Sequence, residues 1–133
     1  MPRTRLGLVL TAIFGILALT DWVQVFLALV VGSDNPPALI ALHFGNGAAA
    51  AATCAGSWRR TRWTPIAAAA YGVLAAILLL ALPGLLALPV DARPGLRTGA
   101  AGVLLFALLS AAYFRADSRQ SAPQISTEKA NER

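Results

Sequence analysis

The sequence predicts an all-α integral membrane protein: a four-transmembrane-helix antiparallel bundle with both termini in the cytoplasm. Three observations carry that expectation. Hydrophobic residues make up 57% of the 133 residues and charged residues only 13%, against roughly 25% charged in an ordinary soluble domain. The apolar residues gather into four long runs. The basic residues gather into alternate connections between those runs. With a mean hydropathy of +0.65, the chain has too few polar groups to cover a soluble surface. That excludes a soluble globular domain, a disordered chain and a disulfide scaffold.

A helix that crosses a membrane needs about 20 largely apolar residues. Residues 6–31 form the first run, interrupted by Asp21 and Gln24. Residues 38–56 form the second, with His43 and Asn46 inside it. Residues 65–88 carry no charge, and residues 95–114 carry only Arg97, near their start. Hydrophobicity is uniform along each run rather than alternating, so the spans are helices and not barrel strands. The breaks agree. Gly32-Ser33-Asp34-Asn35-Pro36-Pro37 is dense in turn formers, and proline bars helix continuation. Residues 57–63 hold three arginines, and residues 89–94 begin and end with proline. Pro65 and Pro94 fall at first helical positions, where a missing N–H is harmless. Pro83-Gly84 is expected to kink or loosen the third helix. Each connection is short, so successive helices should be antiparallel neighbours.

The domain layout follows. Residues 1–115 form one four-helix transmembrane domain, and residues 116–133 are expected to be a disordered polar cytoplasmic tail. The amino terminus imitates a secretory signal, with Arg3 and Arg5 before an apolar stretch. That stretch is longer than a signal's apolar core, and Ala18-Leu19-Thr20 is a poor cleavage site, so it reads as an uncleaved first span.

Orientation rests on charge. Short cytoplasmic connections collect Lys and Arg. The amino terminus, the second connection and the carboxy-terminal tail together hold nine basic residues, and the opposite side holds two, Arg93 and Arg97. Trp58 and Trp63 bracket the basic connection as an interfacial aromatic pair. The high pI of 10.7 then reflects orientation and anionic headgroups, and no nucleic-acid partner is expected. Arg outnumbers Lys ten to one and Ala occurs 28 times. That coding style points to a bacterial inner membrane.

Polar groups inside spans are expensive and are functional candidates by default. Asp21 and Gln24 are three apart on the first helix, and His43 and Asn46 are three apart on the second, so each pair shares a face. At 1.5 Å rise per residue, counted from the intervening turn, Gln24 matches His43 in depth and Asp21 matches Asn46. Arg97 begins the fourth helix on the same side. Asp21, Gln24, His43, Asn46 and Arg97 are therefore one candidate polar cluster. It is either a ligand or ion site, a lock between helices, or a headgroup-level group in contact with water. Gly45, with its small neighbours, and the Gly95–Gly99 pair are candidate helix-packing surfaces. They would pack within one chain or against a second copy.

Several chemistries lack their residues. No Lys lies in any span, one carboxylate is intramembrane, and the sequence contains no HExxH, CxxC or nucleotide loop. Cys54 and His43 are each the sole residue of their type. No cofactor, metal site or catalytic residue is expected, and the chain is expected not to be an enzyme. The sequence points to a small non-enzymatic inner-membrane protein that binds a lipid-like ligand or a membrane partner. The alternative is a proton-coupled carrier using Asp21. A carrier needs water-filled access to Asp21, whereas a lock should be dry and hydrogen-bonded.

Overall fold

The computed structural model of the chain describes residues 4–32 and 34–120. Among these residues there are helices and connections but no strand. The elements are α1 (Arg5–Leu27), α2 (Pro37–Arg59), α3 (Thr64–Leu85) and α4 (Arg93–Gln120). A π-helical turn, Ala28–Gly32, extends α1, and a 3₁₀ turn, Val90–Ala92, leads into α4. All four helices are long and apolar enough to cross a membrane.

Local chemistry sets the ends. The Thr4 hydroxyl accepts from the Gly7 N–H at 3.1 Å, satisfying one of the free donors at the start of α1. The π turn closes at Gly32, whose φ of +77° suits a residue without Cβ. Pro37 then opens α2 at its first turn. The end of α2 is a Schellman arrangement. The Thr61 N–H donates to the Gly56 carbonyl at 2.9 Å, and the Arg60 N–H donates to the Ser57 carbonyl at 3.3 Å. The left-handed position falls to Arg60, with φ 54°, where glycine is usual.

Two boundaries differ from expectation. α3 was expected to reach Leu88 and stops at Leu85. Pro83 removes one helical donor, and Ala87 then turns the chain with φ 49°. α4 was expected to stop at Phe114, with disorder after residue 115, yet it continues to Gln120. Residues 115–120 lose apolar character without containing Gly or Pro, and a fall in hydropathy alone does not end a helix. The added turns also have neighbours, because Asp117 and Ser118 line a crevice with Ser57, Arg60, Thr61 and Thr64. The remainder of the expected tail, 121–133, lies outside the described residues.

The helices pack in chain order, α1 on α2, α2 on α3 and α3 on α4. Phe14 of α1 joins the remaining faces. It is fully buried, with its ring edge-on to Tyr71 of α3 at 5.4 Å and stacked on Phe106 of α4 at 5.7 Å. Phe114 of α4 closes the same cluster at 6.2 Å. Leu10, Ala18, Ala50, Ala68 and Ala75 complete the core around these rings.

The closest helix approaches fall at Gly72 and Gly47, two of the small residues that line the third and second helices, rather than at Gly45 or the Gly95–Gly99 pair. A methyl group added at Gly72 of α3 would overlap the Ala107 methyl of α4. One added at Gly47 of α2 would overlap the Trp22 indole of α1. Gly45 has only an ordinary contact with Leu74, Gly99 faces Leu79 at similar range, and Gly95 has open space where its Cβ would be. Gly95 and Gly99 are both exposed. The four-residue spacing put them on one face, but that face of α4 is exposed, touching the Leu79 side chain of α3 at Gly99 and open at Gly95.

Candidate functional site

Asp21 lies on the face of α1 that meets α2, and is 7% exposed. Gly47 is what lets α2 come so near. A Cβ there would stand 3.1 Å from the Asp21 Cβ. Asn46, immediately before Gly47, and His43, one turn earlier, then reach the carboxylate. The Asn46 Nδ2 donates to Asp21 Oδ2 at 2.8 Å. The His43 Nδ1 lies 2.8 Å from Asp21 Oδ1. A carboxylate only accepts, so with Asp21 ionised the shared proton sits on His43 Nδ1, in the neutral tautomer or in the imidazolium. Both carboxylate oxygens are thereby engaged.

The enclosure is uneven. Asn46 is buried, and its Oδ1 has no hydrogen-bond partner. Tyr71 of α3 brings its phenol beside the Asn46 side chain, within electrostatic range of Asp21. His43 is more open, with 24% of its side chain exposed against 10% for Asp21. Beside the cluster, the Trp22 ring leans on Phe44 at 5.5 Å.

Of the five residues grouped from the sequence, the structure brings together Asp21, His43 and Asn46. Gln24 is exposed and stands apart. Three residues along a helix is a 300° rotation, so when Asp21 points squarely into the α1–α2 seam Gln24 falls on its rim. Arg97 also stands apart. It is exposed and lines a separate cleft of about 230 Å³ with Pro83, Gly84 and Arg93. α4 packs chiefly on α3, so a matching depth on α4 does not bring a side chain to α1.

A second feature was not anticipated. A groove of about 590 Å³ runs between α1 and α2. Gly15, Ala18, Leu19 and Trp22 form one wall. Ala51, Cys54, Ala55 and Trp58 form the other, and Arg59 borders it. Each wall repeats the spacing i, i+3, i+4, i+7, one continuous helical stripe. The residues are small or apolar until each stripe ends in a tryptophan. Trp22 is level with Gly47, and the Trp58 end lies near the Thr11–Ser57 hydroxyl pair. The two indoles therefore stand at opposite ends of the groove. The matching stripes were the available signal, obscured by the abundance of alanine. Compared with known proteins, the chain matches no family, no curated sequence and no solved structure.

Two further polar contacts lie at the Arg59 end. The Thr4 and Tyr113 hydroxyls bond across α1 and α4. The Thr11 and Ser57 hydroxyls bond across α1 and α2, and Thr11 also donates to the Gly7 carbonyl at 2.7 Å. Hydroxyls that bond both their own helix and a neighbour are a usual way to fasten helices in a membrane.

Proposed function

We propose that this chain is a small non-enzymatic protein of a bacterial inner membrane whose α1–α2 groove holds a lipid-like ligand. The groove carries the reading. It is apolar over most of its length, open along its side and bordered by a charged residue at one end only. That polarity matches a molecule with a hydrocarbon chain and a polar head. In this reading the four helices alternate in direction, with both chain ends on the cytoplasmic side. The nine-to-two distribution of basic residues supports that orientation.

Asp21 is the interhelical lock in the same reading. Its two oxygens are occupied by α2 partners, and interhelical hydrogen bonds of this kind average about 0.6 kcal/mol in membranes. A proton-coupled carrier would instead require Asp21 to release its partners and meet water during each cycle.

The test is a lipid census of the protein extracted in mild detergent, alongside an Ala55→Phe variant that fills the groove. Retention of stoichiometric lipid by the native chain and its loss from the folded variant is the expected result. Equal lipid content in both would remove the groove from the function. Orientation is tested separately in a Cys54→Ala background. Single cysteines at Asn35 and Ala92 should react with an impermeant maleimide added outside, and one at Ser57 should not.

A further inference from the structure

We infer that the groove selects an anionic phospholipid of the cytoplasmic leaflet, with Arg59 holding the headgroup phosphate and the α1–α2 walls holding one acyl chain. This rests on the lipid-binding reading above and adds the headgroup class and the residue that recognises it.

The first argument is length. The stripe from Gly15 to Trp22 spans about 10 Å at 1.5 Å per residue. That is two thirds of the about 15 Å of hydrocarbon in one leaflet. The groove therefore fits a chain entering from one surface, and Trp22 closes its deep end.

The second argument is polarity. Trp58 and Arg59 meet the groove at the end that continues into Arg60 and Arg62. Trp58 is 64% exposed, and an indole there sits at headgroup level. Arg59 is exposed as well, and forms no ion pair with another described residue. Its stem can run along the apolar wall while the guanidinium meets the interface. A guanidinium pairs two of its donors with phosphate oxygens. A zwitterionic headgroup presents its own cation to the same place, and an anionic one does not. Charge complementarity therefore favours the anionic lipid.

The third argument is the width. Gly15 and Cys54 face each other across the groove, with a built Gly15 Cβ 3.4 Å from the Cys54 Sγ. That contact forms the floor of the groove, and the small side chains at 15, 18, 51 and 55 keep the floor low enough for a flexible chain to lie along it.

Cys54 supplies the probe, since it is the chain's only cysteine and lines the groove. The detergent-solubilised full chain is titrated with phosphatidylglycerol or with phosphatidylcholine of identical acyl chains, and alkylation of Cys54 by N-ethylmaleimide is timed. One Arg near an anionic surface is worth about fivefold in affinity. Phosphatidylglycerol should protect Cys54 at about fivefold lower concentration, and Arg59→Gln should bring the two lipids level by weakening protection by phosphatidylglycerol the more. Equal protection in the native chain would overturn the headgroup selection and leave the groove reading standing. No protection by either lipid, with helicity intact, would overturn both. Lipid-independent joining of two chains through Cys54 by a bismaleimide would show that a second copy fills the groove, and would also overturn both.

Discussion

The α1–α2 and α3–α4 helix pairs of this bundle are held by different chemistry. α3 and α4 meet through small apolar residues, with Gly72 seated directly on Ala107. α1 and α2 meet through Gly47 at one level, add three polar side chains there, and then part to leave the groove. In lipid there is no hydrophobic drive to bring helices together, so close packing and hydrogen bonds must do it. The α3–α4 pair relies on the first where Gly72 meets Ala107. The α1–α2 pair concentrates the second near Asp21, and so tolerates an opening beyond it. In this helix pair the groove lies directly beside a directional hydrogen-bonded contact.

Substitutions can break or sharpen that contrast, and the largest effect should come from the residue that joins the two helix pairs. Phe14→Ala removes a fully buried ring that touches Tyr71, Phe106 and Phe114. A loss of about 4 kcal/mol is expected, as for buried aromatic truncations generally. Thermal melting in detergent, followed by helicity, measures it, and an unchanged midpoint would show that the two helix pairs do not need this joint.

Gly72→Leu comes next. It drives a side chain into Ala107 and should cost about 2–3 kcal/mol through overpacking. Gly95→Leu on the neighbouring helix meets open space and should leave the melting midpoint unmoved. Equal effects from the two would mean that α3 and α4 are not held by this contact.

Asp21→Ala attacks the α1–α2 pair. It strands Asn46 and His43 in a poorly solvated seam, and about 2 kcal/mol should be lost at the upper end of the range for membrane hydrogen bonds. Asp21→Asn keeps an acceptor and should lose about half of that. Indistinguishable melting curves for the native chain and both variants would remove the lock from the account.

The smallest expected effect is a gain. Ala87 is exposed and holds φ 49°, a backbone state that penalises a Cβ by about 1 kcal/mol. Ala87→Gly should raise stability by no more than that. A decrease would show that the turn after α3 draws more from the restricted backbone of the unfolded chain than it loses to strain.

Much of this arrangement was legible because membrane helices announce themselves by run length, and short connections force successive helices together. Counting residues from the turn between 32 and 37 was enough to set Asp21 beside Asn46. The same counting misplaced Gln24 and Arg97, because it gives depth and says little about which way a helix is rotated. Rotation is set by knobs such as Phe14 and by the glycines they fit beside. In helices this rich in alanine, the apolar pattern offers no strong face from which to read it. The end of α4 was missed for a different reason. Hydropathy marks where a helix leaves lipid, whereas its termination depends on backbone chemistry, and residues 115–120 contain no breaker.

Trp22 belongs to both halves of the α1–α2 seam. One side of its indole borders the groove, and it also lies against Gly47, next to the Asp21 Cβ. It is a shared partition between an apolar compartment and a polar one. A chain lying in the groove would brace the indole against α2 and make separation of Asp21 from its partners harder. By reciprocity, whatever loosened those hydrogen bonds would weaken the hold on the chain by the same factor. The closure of the Asp21 hydrogen bonds and the occupancy of a hydrocarbon slot would then be one coupled equilibrium, transmitted through a single ring.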